Sequence, residues 1–567
     1  MNLPYYLKKN LSAFAPLWLI FLLSLITSCS LIGININRKA PKHASKYPKF
    51  KEQDSLVGYL SKDRDCYQPY YYELAVDFNI KEKSIQGSNK IFILAKADFN
   101  SILLNLNEQM KIYSIKYNGQ LLSYRRKYTG LWINFPETIQ KGEHIVIDIS
   151  FGGKPVVAKR PPWEGGFVWR KDAEKRPWVG VACEQVGANL WWPLKDHLTA
   201  EPDSMQMTYT IPKGLICVSN GKLLDQTDSA DKTTFTYKVS YPINTYNVTF
   251  YIGKFEHFSI SYNKEEKKRL HFYVLDYNLE KAQNHFKQTK KVVQTFEKLY
   301  GEYAYWRDDF KLVESPYEGM EHQTAIAYGN GYRNNAFGID YIILHETAHE
   351  WWGNALSVKD YADIWIHEGM ATYSEALYLE ETMGRETYNN YLYFYSILIK
   401  NKKPVVGPTD VNYWNYKDSD PYMKGALMMH SLRISIGNDS TFFDILKSFY
   451  QQYKHQTVTS QNFIDMVNLK TGSNYSWFFN HYLYKHQPPK LEYFIEVSDK
   501  SNEQTFYYKW TNVADDFMMP ILVKNPDGSK TKIYPTTAEK SIQVSGERLI
   551  EIVVSSAYFA KTERKRK

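Results

Sequence analysis

The sequence predicts an α+β multidomain chain with an antiparallel β-sandwich or saddle first, a helix-rich domain in the middle and a small β-domain last. Three observations predict it. Apolar residues alternate with a period of two from about residue 69 to 262, recur at three- and four-residue steps from about 282 to 486, and alternate again after Pro488-Pro489. The length of 567 residues exceeds what one core usually fills. At roughly 150 residues per domain it suggests three or four domains. Hydrophobic residues at 44% and charged residues at 23% are globular values, which excludes a disordered chain, a collagen-like fibre and a disulfide scaffold.

Only one long apolar run occurs, so the chain is not a polytopic membrane protein. That run spans Leu11 to Ser28, follows Lys8 and Lys9, and ends in Ile26-Thr27-Ser28-Cys29. A positive start and an apolar stretch read as a leader. Small residues before a Cys resemble the lipobox of bacterial lipoproteins. The resemblance implies a signal peptide over 1–28, lipidation of Cys29 and attachment to the lipid bilayer of the bacterial cell envelope. Acyl chains contribute about 0.8 kcal/mol per buried methylene. Ser30 leaves the outer membrane open as the destination. Residues 29–60 carry Arg38, Lys39, Lys42, Lys46, Lys49 and Lys51 and read as a solvated basic tether.

The formal net charge of +9 is spread thinly, with no basic-aromatic stripe, so no nucleic-acid partner is expected. No Walker motif or dinucleotide fingerprint appears, so no nucleotide partner is expected either. Cys66, Cys183 and Cys217 are too few and odd in number for a disulfide framework, and no C-x-x-C is present.

The N-terminal β-domain is placed at 61–262. Its strands include Tyr72–Ile80, Lys90–Leu94, Tyr113–Tyr117 and Met207–Ile211, with Asn118-Gly119 and Asn220-Gly221 as turns. The helical domain is placed at 263–489, with helices expected over 282–299, 341–357, 361–382, 385–400, 421–436, 441–453 and 460–486. The last domain, 490–567, ends in a basic tail expected to fray.

The informative segment is His345-Glu346-Thr347-Ala348-His349. Residues four apart share a helix face, so both imidazoles can reach one ion while Glu346 reaches a water beside it. Glu368 follows His349 with eighteen residues between. A helix, a loop and an antiparallel helix can return it over the two histidines. Two His, one carboxylate and an open position form a catalytic zinc pattern. His367 and Glu375 read instead as a neighbour of the ligands and an exposed charge.

With these residues the chain resembles the aminopeptidase N family of zinc metallopeptidases, the gluzincins. Glu318-Gly319-Met320-Glu321-His322 resembles the family's G-x-M-E-N motif, with Glu318 in place of Gly and His322 in place of Asn. Tyr422-Met423-Lys424-Gly425-Ala426 resembles its Y-x-K-G-A segment. Ala182-Cys183-Glu184-Gln185 resembles the segment that touches the substrate amine. The resemblance covers about residues 70 to 490. It implies a thermolysin-like catalytic domain and one zinc ion per chain on His345, His349 and Glu368. It further implies Glu346 as general base and Tyr422 as the oxyanion donor. Peptide substrates would lie along Gly319 and Met320, with Glu321, Glu184 and Glu318 as candidate carboxylates for the α-ammonium group. The family's larger members carry a long helical C-terminal domain. Only about 75 residues follow 490 here, so a more open cleft is expected.

The leading reading is a zinc aminopeptidase, membrane-anchored by a lipidated Cys29. A thermolysin-type zinc endopeptidase shares the helix motif, and a catalytically silent peptide-binding lipoprotein is the reading from another class.

Overall fold

The computed structural model describes residues 45–413, 420–498, 503–546, 549–552 and 559–565. The leader and Cys29 lie outside the described residues. Among these residues no helix is long and apolar enough to cross a membrane.

The N-terminal domain is organised by an eight-stranded sheet centred on Tyr67–Asn79 and Ser84–Ala95. Leu74, Val76 and Phe78 alternate inward, as period two requires. One pairing departs from the antiparallel expectation. Tyr67–Asn79 runs parallel to Ser204–Pro212, from Tyr71 beside Ser204 to Asp77 beside Thr210. A parallel neighbour needs a long crossover. The chain supplies one by passing through two smaller sheets before it returns. The domain core is aromatic: Phe250 packs at 4.6 Å from Phe78, 5.1 Å from Phe167 and 5.6 Å from Trp191, centroid to centroid. Cys66, Cys183 and Cys217 are buried free thiols.

A five-stranded sheet opens the central domain, ordered Phe255–Asn263, Lys268–Leu275, Phe310–Glu314, Ile326–Tyr328, Gly319–Met320. It starts at Phe255, so the division expected at 262 falls inside a strand. Gly319–Met320 is its outer strand. The helices follow the sequence closely, with one shortening that matters. The helix expected over 341–357 runs only from Tyr341 to Ala348, with His349 as its cap. Gly353 adopts φ +134, which a side chain rarely permits, and Asn354 N donates to His349 O at 2.9 Å. The chain therefore turns under the second histidine and leads into Leu356–Val358. Asp420–Lys424 forms a π turn ahead of the helix Gly425–Ile436.

The C-terminal strands form a four-stranded and a three-stranded sheet. The tail does not simply fray. Lys561–Arg564 pairs in parallel with Lys490–Val497. Nor is the tether wholly solvated. Ser45 N donates to Lys402 O at 2.7 Å, and Tyr47 and Phe50 pack against Tyr413 at 6.1 and 5.5 Å. Glu52–Gly58 is helical. The fully buried Arg64 guanidinium collects the carbonyls of Leu56, Val57 and Tyr59 at the end of that helix and donates to Asn105 Oδ1 at 2.9 Å.

Candidate active site

The helix Tyr341–Ala348 begins at Asp340, whose carboxylate caps it by accepting from Ile342 N at 3.1 Å. Ile342, Ile343 and Leu344 are buried, so the helix is held on its apolar residues while His345 and His349 face the cleft. The helix Trp365–Met383 is buried over most of its length and brings Glu368 across from them.

The three donors converge. His345 Nε2 and His349 Nε2 are 3.1 Å apart. Glu368 Oε2 is 3.3 Å from the first and 3.5 Å from the second. Donors placed tetrahedrally about 2.0–2.1 Å from an ion stand about 3.3–3.4 Å from one another. The cluster therefore has the dimensions and the chemistry of a His₂Glu zinc site. Its outer contacts agree. His345 Nδ1 meets Glu375 Oε1 at 2.8 Å, and His349 Nδ1 meets Trp352 O at 2.9 Å. Each Nδ1 thus carries its proton toward an acceptor and leaves Nε2 bare for a metal. Glu368 Oε2 is buried with no hydrogen-bond donor aligned on it.

Glu375 is the clearest correction to the sequence reading. It is buried rather than exposed, and Tyr391 and Tyr395 both donate to its Oε2, the latter at 2.6 Å. Its signal was its position seven residues after Glu368, two turns along the same helix face. His367 is buried too. Its Nε2 accepts from Val358 N at 3.0 Å, which ties the helix to the strand that follows His349.

Glu346 stands beside the cluster. One of its carboxylate oxygens lies within 4.8 Å of donor atoms on Glu321 and His349. This second grouping has only one imidazole, so the His345–His349–Glu368 set is the better zinc site. Gly319 meets Glu346 directly. A Cβ there would sit on Glu346 Oε1 and 2.9 Å from Ile342 Cδ1, so only glycine lets the outer strand lie this close. Met320, the other residue of that strand, is buried. Burial raises the proton affinity of Glu346, opposed by His345 and His349 and reinforced by Glu321 and Glu368.

Glu321 and Glu184 form the other side of the site. Tyr246, from the N-terminal domain, donates to Glu321 Oε1 at 3.0 Å. Asn354 Nδ2 holds the Glu321 carbonyl at 2.8 Å. Glu184 arrives at the end of the strand Pro177–Ala182, and its Oε1 is buried without a partner. Burial raises its carboxyl well above the usual range, and Glu321, Glu368 and Glu346 add to the effect. Neither Glu184 nor Glu321 has a Lys or Arg partner among the described residues. Tyr422 completes the ring of groups. Its ring lies 6.1 Å from that of His345 at an interplanar angle of 26°. Burial, then Glu368, Glu184 and Glu321, keep its hydroxyl firmly protonated.

Two motif departures resolve differently. His322 is fully buried and its Nδ1 lies 2.7 Å from the Tyr251 hydroxyl, which donates to Ala325 O at 2.8 Å. Burial pushes His322 down to about 3, so it is a neutral structural residue. Glu318 has a partner of its own. It precedes Gly319 in the chain and accepts from the Tyr341 hydroxyl at 2.8 Å.

Comparison with known proteins agrees with this geometry. Residues 285–482 match the peptidase family M1 domain and residues 68–247 match the peptidase M1 N-terminal domain. Leukotriene A-4 hydrolase of Xenopus laevis is 22% identical over 424 residues, 69% of this chain and 66% of that protein. Probable aminopeptidase 2 of Sulfurisphaera tokodaii is 22% identical over 512 residues, 84% of this chain and 61% of that protein. The chain thus spans less than two thirds of the length of these curated relatives. An M1 zinc metallopeptidase from Deinococcus radiodurans has the same fold, with a TM-score of 0.65 and 18% identity over 74% of this chain and 94% of that one. A mutant of that enzyme has been solved with a Tyr-Ser-Ala substrate, and matches with a TM-score of 0.63 and 18% identity over 74% of this chain and 95% of that chain.

Proposed function

The chain belongs to peptidase family M1, and from that premise we propose that it is a zinc aminopeptidase that removes residues from the free amino end of peptides. One observation carries the reading. Among the described residues Glu184 and Glu321 face the metal cluster without a Lys or Arg partner, and Glu184 Oε1 is buried with no hydrogen-bond partner. A buried, unpaired carboxylate is costly, and an arriving α-ammonium group offsets that cost. The tripeptide-bound relative and the aminopeptidase relatives support the same reading.

His345, His349 and Glu368 would hold the zinc ion, which when bound would supply Lewis acidity to the scissile carbonyl and to a water near neutral pH. Glu184 and Glu321 fix the α-ammonium and so set which peptide bond faces Glu346. Glu346 takes the proton of the attacking water and returns it to the leaving nitrogen; its raised proton affinity suits it to hold that proton between the two steps. Tyr422, kept protonated, donates to the oxygen that gains charge, an effect of about 3–4 kcal/mol in sites of this kind. Glu375 and the Trp352 carbonyl keep both imidazoles in register.

The lipid anchor belongs to this proposal. Lys8, Lys9, the apolar run and the Ile26-Thr27-Ser28-Cys29 junction support an acylated envelope protein, with the domains outside the bilayer. The catalytic reading is tested by stripping the metal and by Glu346→Gln. Chelation abolishes peptide hydrolysis and zinc restores it. Glu346→Gln retains zinc by metal analysis and loses activity. Full activity in that variant would overturn the mechanism.

A further inference from the structure

Glu318 occupies a position whose surroundings the mechanism does not use. The order of groups along the outer strand fixes its place relative to a bound peptide. Glu321 takes the α-ammonium, Gly319 abuts Glu346 at the bond that breaks, and Glu318 comes next in the direction away from the amine. Glu318 and Glu321 flank the two strand residues Gly319 and Met320, so the two carboxylates leave the chain on either side of the glycine that abuts Glu346. Its height over the site is also fixed. Tyr341, which donates to Glu318 Oε1 at 2.8 Å, lies one turn before His345 on the same helix.

The carboxylate is half-buried, and Tyr341 is its hydrogen-bond partner. It makes no ion pair among the described residues. The Arg333 charge acts on it from a distance, and that side chain is exposed and donates to Asn330 O at 3.2 Å. A half-buried carboxylate held by a neutral hydroxyl on the leaving side of the scissile bond is a receptor for a positive side chain.

We propose that Glu318 is a specificity-determining residue that selects peptides with Lys or Arg immediately after the scissile bond. The inference rests on the aminopeptidase reading, because that reading fixes which end of the peptide lies at Glu321. The recognition is charge pairing, so it discriminates against Asp and Glu at the same position and weakens with salt.

The test uses the zinc-loaded protein and tripeptides that differ only in the second residue, lysine against its uncharged isostere norleucine. Each rate is divided by the same enzyme's rate on a leucine reporter amide, which has no second residue. The unmodified protein should prefer lysine by about tenfold in kcat/KM, and the preference should fall at least threefold between low and high salt. In Glu318→Gln the preference should shrink below twofold, and Tyr341→Phe should change it less than Glu318→Gln does. The salt series needs no variant, so it decides even if Glu318→Gln does not fold. Equal rates on lysine and norleucine in the unmodified protein, or a preference that survives Glu318→Gln, overturn the proposal. Failure to cleave the reporter and both tripeptides overturns the aminopeptidase reading instead.

Discussion

The metal side and the amine side of the site solve opposite problems with similar residues. On the metal side both imidazoles are oriented from behind. Glu375 holds His345 at 2.8 Å and the Trp352 carbonyl holds His349 at 2.9 Å. Glu375 is itself held by Tyr391 and Tyr395. On the amine side Glu321 accepts from one tyrosine, and Glu184 presents an oxygen with no partner among the described residues. A resident ion requires a rigid shell. A transient ammonium requires a charge that stays unsatisfied until substrate arrives. The difference teaches that buried carboxylates of one residue type take their roles from how fully their neighbours satisfy them.

Four perturbations probe that division. The largest effect is expected at Tyr422, whose hydroxyl feels carboxylates of both sides. Tyr422→Phe should lower kcat by roughly 10²–10³-fold, with KM and zinc content little changed, as steady-state kinetics and metal analysis will show. Glu184→Gln and Glu321→Gln should each lower kcat/KM for free-amine peptides by about 2–4 kcal/mol while one zinc per chain stays bound. Loss of zinc in either would mean that the two sides are not separable. Glu375→Gln should do the reverse, weakening zinc by about 10–100-fold in a competition titration, with near-normal turnover once zinc is saturating.

The smallest effect concerns stability away from both sides. His481 is buried in the last turn of the helix Ser476–Tyr482, where burial and then Lys424 push it down to about 3. Its folded pKa lies below its ordinary value of 6.5, so the native state refuses a proton that the unfolded chain accepts. The stabilisation is complete above about pH 6.5 and is lost progressively as pH falls toward 3. At pH 5 the loss from this group is roughly 2 kcal/mol. Thermal unfolding of the zinc-free protein between pH 7 and 5 should show a falling Tm, and His481→Gln should flatten the slope.

The metal side was largely legible in the sequence, because helix periodicity is local: His345, His349 and Glu368 declare themselves by spacing. Glu346 and Tyr422 were legible through their motifs. The groups that orient them were not. Tyr391 and Tyr395 reach Glu375 from the next helix, and Tyr246 reaches Glu321 from another domain, contacts that no spacing encodes. Glu318 was visible as a departure, but its side of the bond depends on how Gly319 lies against Glu346. The tether was misread from residue 45 onward because charge pattern suggests solvent. Its docking depends on Tyr47, Phe50 and Arg64 meeting surfaces far along the chain. The parallel pairing of Tyr67–Asn79 with Ser204–Pro212 was hidden for the same reason, since alternation does not show strand direction.

The central claim is that an unpaired acidic pair beside the zinc site reads a free α-amine. The most direct measurement compares hydrolysis of one peptide with its amine free and with its amine acetylated, by the zinc-loaded protein, with products followed by mass spectrometry. The account predicts stepwise loss of N-terminal residues from the free peptide and at least a hundredfold slower cleavage of the blocked one. Comparable cleavage of the acetylated peptide at internal bonds would contradict it.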